Sequence, residues 1–265
     1  MKRVEKMFEK FLNKYCWHIL FFVCFFSLVF VSHLKRGIYP YLYAKKYDGI
    51  LQISQSDYFE DVNAASFAIK KGKKTYVLVP KTKYAVTGRV GIVDSYDTFF
   101  NRIFRGQFQG EYINLAPRDV FLLIGTMASD KVFEKFVFKH EERLGSVLCK
   151  GVKYKTSFMP SFSNKKQAEK NWQKYQECHQ YIKQEEQNNY HLIASTNAID
   201  KAVSILRKGD VVYLEGLLVD VETLRLKTGT RKNQFHENMV VRGSAPRMCF
   251  ILYVTKVVLN GRVFE

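Results

Sequence analysis

The sequence predicts an α+β protein that is mainly β, with a single N-terminal transmembrane helix followed by a small β-barrel or sandwich-like domain with two or more helices. Two observations predict this fold class. An uncharged stretch of twenty residues follows a short basic head, and the rest of the chain alternates short apolar runs with Gly, Pro and Asn, which is typical of strands and turns. We therefore predict a basic head at 1–14, an anchor at 15–34, a juxtamembrane connector at 35–74 and a β-rich domain at 75–265.

The predicted anchor contains no Lys, Arg, Asp or Glu. As a helix with a rise of about 1.5 Å per residue, it would span about 30 Å, which matches a hydrocarbon core. We expect its aromatic residues Trp17, Phe21, Phe25 and Phe30 to contact the membrane. A cleaved signal peptide is the main alternative, but the exit of the stretch lacks a small-residue cleavage site. A buried core helix fits poorly because the stretch is apolar on all sides.

The charges on either side of the anchor predict its orientation. Five Lys or Arg precede residue 15, and four follow between residues 35 and 46. Although this difference is slight, a short cationic head usually stays in the cytoplasm. We therefore predict a single-pass protein of a bacterial inner membrane whose soluble domain lies in the periplasm.

The whole chain is basic, with 42 Lys and Arg against 25 Asp and Glu and a formal net charge of +17. A field of this sign attracts phosphate groups, which for a tethered domain means anionic lipid headgroups before nucleic acid. Solvated lysines on an ordinary basic protein explain the charge equally well. Because the sequence has no Arg-rich motif and no aromatic pattern of an RNA-binding module, nucleic acid is the least favoured partner.

Three cysteines lie in the predicted soluble part: Cys149, Cys178 and Cys249. An odd number without a CxxC pair excludes a dense disulfide framework. It leaves open either one bridge with one free thiol or three reduced thiols. No Cys and His residues have the close paired spacing of a zinc site, so we predict no metal and no cofactor. A thiol–imidazole pair of Cys149 with His140 or His191 would be catalytic, but nothing in the sequence brings these residues together.

Strands account for most of the predicted soluble domain. Residues 84–93 alternate around Gly88 and Gly91, which predicts a bent or bulged strand. Residues 131–138 bury one face, either as a strand or as a short helix. The Asn260-Gly261 pair predicts a tight turn onto a final strand. The other predicted strands are residues 75–79, which end at Pro80, and residues 120–124, 211–219 and 247–259.

Two helices are also predicted. The inserted helix at residues 165–187 is polar except for a narrow stripe at alternating spacings of four and three, which consists of Ala168, Trp172, Tyr175, His179 and Ile182. We favour an insertion that lies across the domain, with a partner-binding helix as the alternative. The second helix follows a cap at Thr196 or Asn197 and ends before Gly209.

The sequence also offers a possible interaction surface. Five aromatic residues between positions 99 and 112 surround two arginines. Packing in the core is the favoured role of this cluster, and a loop that faces lipid or a partner is the alternative. The residues that we assign to the possible interaction surface are Trp172, Tyr175, Ile182, Arg102 and Arg105.

Three groups of residues carry a resemblance to a known family. They are Pro117-x-Asp119 with Gly125-x-Met127, then Asn189-x-His191-x-Ile193, and finally Gly209-Asp210-Val211-x-x-Leu214-x-Gly216-x-Leu218-Val219. Over residues 84–259 the chain resembles uncharacterised bacterial proteins with one N-terminal membrane helix and a β-rich domain. It departs from that family at Cys249, which is followed by Phe250 rather than Glu, and in the inserted helix. The resemblance implies an architecture and a bacterial envelope setting, and no activity.

His191 is the candidate catalytic residue. Its imidazole beside the amides of Asn188 and Asn189 could act as a general base, although loop histidines bonded to the backbone are far more frequent. Asp119 and Asp130 flank an apolar strand and could hold a metal, but turn and cap roles explain them without one. The sequence has no Walker motif, no GxSxG, no HExxH and no dinucleotide fingerprint, so catalysis is the less favoured function.

These features together predict a membrane-anchored accessory or scaffold protein of a bacterial cell-envelope assembly. It would act through contacts with envelope proteins or anionic lipids rather than by catalysis. One alternative is a membrane-bound hydrolase or transferase that uses His191 and neighbouring polar residues. Another alternative is a membrane-tethered nucleic-acid-binding protein, which requires the opposite topology.

Overall fold

The computed structural model describes residues 20–27, 44–72, 74–96, 115–141, 144–154, 165–222 and 249–265. The described part of the chain is mainly β, with 49% of the described residues in strands and 25% in helices. It consists of two units, Met1–Tyr43 and Ala44–Glu265. Residues 20–27 of the first unit are helical, and every element named below belongs to the second unit.

The predicted membrane anchor is contradicted. In the described part of the chain, no helix is long and apolar enough to cross a membrane. The prediction of a single-pass transmembrane helix is therefore wrong, and with it the inner-membrane location and the fold class that contained the helix. Phe21 and Phe25 lie within the helical residues 20–27 and have exposed side chains, whereas Trp17, Phe30 and the other residues of the predicted anchor outside 20–27 lie outside the described residues.

The second unit is built on one large sheet and a separate hairpin. In chain order, the strands of the described residues are β1 (Lys45–Lys46), β2 (Tyr58–Asp61), β3 (Phe67–Lys71), β4 (Lys74–Ser95), β5 (Arg118–Leu123), β6 (Phe136–Glu141), β7 (Leu144–Cys149), β8 (Gln187–Ala194), β9 (Val211–Glu222), β10 (Cys249–Leu259) and β11 (Arg262–Phe264). Strands β6 and β7 form the hairpin, and the other nine strands form the sheet. Three strands of the sheet, β1 to β3, lie in the segment that we predicted as a connector.

Five strands of the sheet close into a ring. Strand β4 pairs with β5 along its C-terminal part and with β9 along most of the remainder. Strand β10 pairs with β9 on one side and with β8 on the other, and β8 completes the ring by pairing with β5. All these pairings are antiparallel except that of β8 with β10, and a helix follows β8. This strand order and this helix position are those of the OB-fold, a five-stranded Greek-key architecture.

Strand β4 bends so that it can pair with two neighbours. A register shift between Val90 and Ile92 marks the bend, and a Cβ atom at Gly88 would lie 2.9 Å from a backbone oxygen of β5. The predicted bend in this strand is thus confirmed. The predicted strand end at Pro80 is wrong, because β4 continues through this residue. A second register shift, between Pro80 and Thr82, accommodates a residue that has no N–H to donate.

The insert, defined here as residues 124–186 between β5 and β8, covers one face of β5. Its elements besides β6 and β7 are a 3-10 turn (Gly125–Ala128), helix α1 (Asp130–Phe133), helix α2 (Lys165–His179) and a second 3-10 turn (Gln184–Glu186). Apolar residues of the insert pack against Phe121 and Leu123 of β5. A disulfide between Cys149 and Cys178 joins the end of β7 to α2. The insert is thus a second apolar core attached to the ring.

Two predictions within the insert need correction. Residues 131–138 are neither all strand nor all helix, because α1 ends at Phe133 and β6 begins at Phe136. The inserted helix was predicted to reach residue 187, but α2 ends at His179. The backbone N–H of Ile182 bonds to the carbonyl of His179 at 2.9 Å. This three-residue spacing tightens the last turn and ends the α-helix.

Helix α3 (Asn197–Ser204) connects β8 to β9 as the sequence predicts. The Thr196 hydroxyl accepts a hydrogen bond from the backbone N–H of Ile199 at 3.2 Å, which caps the helix. Ile199, Ala202 and Val203 are buried, and the helix contacts both β8 and β10. The second predicted helix is therefore confirmed, including its cap.

The sheet extends beyond the ring at two places. Strand β11 follows β10 through the Asn260-Gly261 turn, whose φ angles of 50° and 67° confirm the predicted tight turn. Strand β1 pairs with β11. Strands β2 and β3 both pair with β4, on the edge that also carries β5. In the strand order of the sheet, β1 and β2 are the two ends.

Candidate functional site

His191 lies within strand β8 and is paired with a carboxylate. Its Nδ1 atom is 2.6 Å from Oδ1 of Asp119, and the two residues are direct neighbours in the pairing of β5 with β8. Only 5% of the His191 side chain and 2% of the Asp119 side chain are exposed. The candidate catalytic residue is therefore a strand histidine held by an acid, not a loop histidine bonded to the backbone.

A second histidine–aspartate pair lies beside the first. Asp94 of β4 is the direct neighbour of Asp119 in the pairing of β4 with β5, and Nδ1 of His140 on β6 bonds to the Asp94 carboxylate. Two carboxylates directly opposite each other on a sheet repel. Each of the two carboxylates is in hydrogen-bond contact with a histidine. The Nε2 atom of His140 is buried and has no hydrogen-bond partner.

This row of acids and histidines has the parts of a general base but limited access. A carboxylate that holds an imidazole fixes its orientation for proton transfer. The described residues contain no group of three or more His, Cys, Asp or Glu that could hold a metal ion. Asp130, the other acid that we considered as a metal ligand, forms an ion pair with Arg89 at 2.6 Å. Asp119 and Asp130 thus have separate partners.

The polar residues around His191 do not form one site. Because successive side chains of a strand point to opposite faces, Asn188 and Asn189 separate. Asn189 accepts a hydrogen bond from the backbone N–H of Gly145 at 2.6 Å and so holds the hairpin of the insert. Asn188 donates to a carboxylate oxygen of Asp57 at 2.9 Å on the other face. Each residue of the predicted polar cluster therefore has its own partner.

Asp57 belongs to a buried polar cluster that the sequence analysis missed. The hydroxyl oxygens of Tyr84 and Tyr190 are 2.5 Å apart in the core. Burial raises the pKa of Asp57 to about 6, although hydrogen bonds from Tyr84 and Asn188 act in the opposite direction. Its Oδ1 atom is buried without a hydrogen-bond partner. Nothing local in the sequence marks Asp57, because its partners lie far away on β4 and β8.

Another carboxylate, that of Glu186 at the end of the insert, accepts several hydrogen bonds. It accepts hydrogen bonds from the backbone N–H of Met127, from the Thr126 hydroxyl and from the Lys183 ammonium group, each at 2.8 Å. Burial alone would raise the pKa of Glu186, but these bonds lower it below its usual value. An open cleft of about 550 Å³ lies here, lined by Gln55, Gly125, Thr126, Ser129, Val132, Tyr181 and Lys183.

The possible interaction surface is divided by the structure. Trp172 is 44% exposed on α2, and its ring stacks on Tyr175 with centroids 5.5 Å apart. Tyr175 in turn lies 4.7 Å from the ring of His179. We call these three residues the α2 ridge. Tyr175 and Ile182 also pack against the core of the insert, whereas Arg102 and Arg105 lie outside the described residues.

The cysteines are now assigned where the structure describes them. Cys149 and Cys178 form a disulfide, so the proposed thiol–imidazole pair of Cys149 has no thiol. Cys249 is the first residue of β10, and Cys24 is a free, exposed cysteine. The sequence left open either one disulfide bridge or three reduced thiols. The structure shows one bridge, between Cys149 and Cys178.

Comparison with known proteins does not assign this chain to a family. No protein-family model, no curated protein and no solved structure matches this chain. The resemblance to bacterial proteins with one membrane helix therefore gains no support from these comparisons. Any function has to be argued from the residues described above.

Proposed function

We propose that this protein is an accessory or scaffold protein that acts by contact with another protein, and that the α2 ridge is the contact surface. The observation that carries the proposal is the exposure of Trp172, 44% of which is open to solvent. Trp is the residue most strongly enriched among the side chains that dominate binding energy at protein interfaces. The exposed part of this indole, on an otherwise polar helix, is a surface that a partner protein could cover.

The rigidity of α2 supports this role. The disulfide Cys149–Cys178 ties the last turn of the helix to β7. Near its middle, the Asn171 amide accepts from the backbone N–H of Lys153 at 2.8 Å and donates to the carbonyl of the same residue at 2.9 Å. A side chain already held in place loses little conformational entropy when a partner binds it. The α2 ridge is thus pre-organised for binding.

Nucleic acid fits the described surface less well than protein. In the OB-fold, oligonucleotides bind to the face of the second and third strands of the ring, which are β5 and β8 here. That face carries the acids Asp94 and Asp119, and the hairpin of the insert covers it. A Cβ atom at Gly145 would lie only 2.5 Å from the Phe121 ring, so hairpin and strand are in direct contact.

Site-specific photo-crosslinking tests the proposal. A photoreactive phenylalanine derivative at Trp172, in the full chain expressed in its native cell, should give one discrete adduct with another protein. The matched control is the same derivative at Ser204, an exposed helical position on α3, which should give no such adduct. Trp172→Ala should abolish co-purification of that protein and Trp172→Phe should retain part of it. Equal adducts at both positions, or none at Trp172, would contradict the proposal.

A second candidate function, a hydrolase or transferase, is favoured by one observation, the 2.6 Å contact between His191 and Asp119. In that case His191→Ala and Asp119→Asn should each lower the cleavage of p-nitrophenyl esters or phosphodiesters by at least about 100-fold. His179→Ala, a change of an exposed histidine on α2, is the control. Unchanged rates in properly folded His191→Ala protein would eliminate this candidate and leave the scaffold proposal standing.

A further inference from the structure

Helix α2 is attached to the rest of the insert through few of its residues. Among the α2 residues whose side chains the structure describes, Asn171 and Cys178 are buried, Ala168 and Tyr175 are half-buried, and the others are exposed. An α-helix of about this length is marginal in water unless it packs an apolar face. The position of α2 in the fold therefore depends mainly on its attachments at Asn171 and Cys178.

These two attachments differ in chemistry. The side-chain amide of Asn171 forms two hydrogen bonds with the backbone of Lys153, at 2.8 Å and 2.9 Å. Cys178 forms the disulfide with Cys149, and both lie in the apolar core of the insert, against which Tyr175 packs. A reductant breaks the disulfide and leaves the amide of Asn171 unchanged. The redox state of the bridge therefore controls the attachment at the C-terminal end of α2.

The other end of the bridge, Cys149, is held in place without the disulfide. Cys149 is opposite Phe136 in the pairing of β6 with β7, and its backbone N–H donates to the Tyr154 hydroxyl at 2.8 Å. The next residue, Lys150, donates its backbone N–H to the carbonyl of Lys135 at 2.8 Å. When the bridge opens, β7 keeps these partners. Helix α2 is therefore the element that gains freedom.

The ring does not depend on this bridge for its closure. Cys149 and Cys178 are 29 residues apart in the sequence, and both belong to the insert. The ring is closed by the pairings among β4, β5, β8, β9 and β10, to which neither cysteine contributes. Proteins open locally in cooperative units whose stabilities differ. We therefore expect the loss of the bridge to loosen α2 while the ring stays closed.

We propose that the Cys149–Cys178 disulfide is a redox switch for the α2 ridge: the bridge holds α2 against β7 in the oxidised protein, and reduction by a dithiol releases it. The two cysteines are only 2% and 7% exposed. The reductant therefore reaches the bridge when the last turn of α2 opens, as helix ends do. The consequence for partner binding rests on the proposed function, whereas the release of α2 does not.

The reaction is a thiol–disulfide exchange. One thiolate of the dithiol attacks a sulfur of the bridge, so that a mixed disulfide forms and the bond between Cys149 and Cys178 breaks. The second thiol of the reductant then displaces the bound cysteine and closes the reductant's own disulfide. Two electrons and two protons pass from the dithiol to the protein, which ends with two thiols.

Hydrogen exchange of the full chain, with and without dithiothreitol, tests the release of α2. After reduction, the backbone amides of α2 should exchange at least about tenfold faster, and those of β9 should keep their rates. The double variant Cys149→Ser with Cys178→Ser should exchange like the reduced protein whether or not dithiothreitol is present. The control variant Cys24→Ser removes a free, exposed cysteine and should respond to dithiothreitol as the original chain does.

Photo-crosslinking at Trp172 tests the consequence for binding. The yield of the adduct should fall at least about tenfold in the reduced protein, because a released helix must be ordered again before it binds. The Cys24→Ser chain should show the same fall. The double serine variant should give the low yield in both redox states.

Three outcomes would overturn the switch. They are unchanged exchange of α2 when mass spectrometry shows both cysteines reduced, exchange of β9 that rises together with that of α2, and a bridge that dithiothreitol reduces only in denatured protein. The switch and the proposed function fail separately. Release of α2 without an adduct at Trp172 in either state would contradict the proposed function alone, and an adduct at Trp172 with α2 unaffected by reduction would contradict the switch alone.

Discussion

Two carboxylates, the half-buried Asp57 just before β2 and the buried Glu186 at the end of the insert, show opposite pKa shifts. Burial raises the pKa of Asp57 to about 6, and one of its oxygens has no partner. Burial also acts on Glu186, but hydrogen bonds from Lys183, Met127 and Thr126 outweigh it and lower the pKa. Desolvation favours the neutral acid, and donors favour the anion. The number of donors around each carboxylate therefore decides whether its charge stabilises the fold.

The largest expected effect is that of Glu186→Ala. Removing the carboxylate leaves the N–H of Met127 without its acceptor, and charged hydrogen bonds are lost, so we expect about 3 kcal/mol less stability at pH 7. Chemical denaturation measures this loss. Glu185→Ala, which removes the exposed acid next to it, should change stability by less than about 0.5 kcal/mol. Because the folded pKa is lowered, the contribution of Glu186 should vanish as pH falls below its usual value of 4.5.

Asp57→Asn should have the opposite effect on stability: at pH 7.5 it should stabilise the protein. A folded pKa of about 6 against the usual value of 3.8 means that the folded state holds the proton more tightly. The protein should lose stability as pH rises from 4 to 6, and the variant should not. At pH 7.5 we expect the variant to be about 2 kcal/mol more stable, and at pH 3.5 about equal. A destabilised variant at pH 7.5 would contradict the unsatisfied state of Asp57.

The control for Asp57→Asn is the same substitution at a more exposed aspartate. Asp220 of β9 is paired with Lys81 at the surface, with side chains 36% and 42% exposed. Solvent screens such pairs, so Asp220→Asn should change stability by less than about 1 kcal/mol. It should also leave the pH dependence between 4 and 6 unaltered.

Tyr84→Phe should have a smaller effect and would sharpen the comparison. The variant removes the hydroxyl that bonds to Tyr190 at 2.5 Å and that lowers the pKa of Asp57. We expect a loss of about 1 kcal/mol, together with an Asp57 pKa that moves further up, measured by carboxyl-carbon NMR titration. Tyr58→Phe removes an exposed hydroxyl and should leave the Asp57 titration where it is.

Lys183→Met should have the smallest effect of the four. The Lys183 side chain is 43% exposed, so its ion pair with Glu186 is screened, and we expect less than about 1 kcal/mol. The same titration should nevertheless show the Glu186 pKa rising, because one of its donors is gone. An unchanged Glu186 pKa would mean that Met127 and Thr126 alone hold the anion.

Local signals in the sequence predicted the elements that local chemistry determines. The cap at Thr196 and the apolar face of α3 are both found, and so are the turn at Asn260-Gly261 and the bend of β4 beside Gly88. Each of these features depends on residues within one turn or one strand. Their physical cause is therefore readable without the rest of the chain.

The wrong predictions concern features that depend on residues far apart in the sequence. Pro80 lies within β4 because a bulge against β9 tolerates it. Composition alone predicted a membrane helix, and among the described residues no helix is long and apolar enough to cross a membrane. For the candidate site, His191 was identified as a polar residue of interest, but Asp119 was placed in a turn rather than beside it. Asp57 was missed because its partners belong to strands β4 and β8.

The closure of the ring bears on how the protein is made. Val77 near the start of β4 pairs with Glu222 at the end of β9, so most of the chain must emerge from the ribosome before this pair can form. At about 5–20 residues per second, that interval is roughly seven to thirty seconds. Contacts between such distant residues are slow to form. Until then β4, the first strand of the ring, lacks its β9 partner, so the ring cannot close before most of the chain has been synthesised.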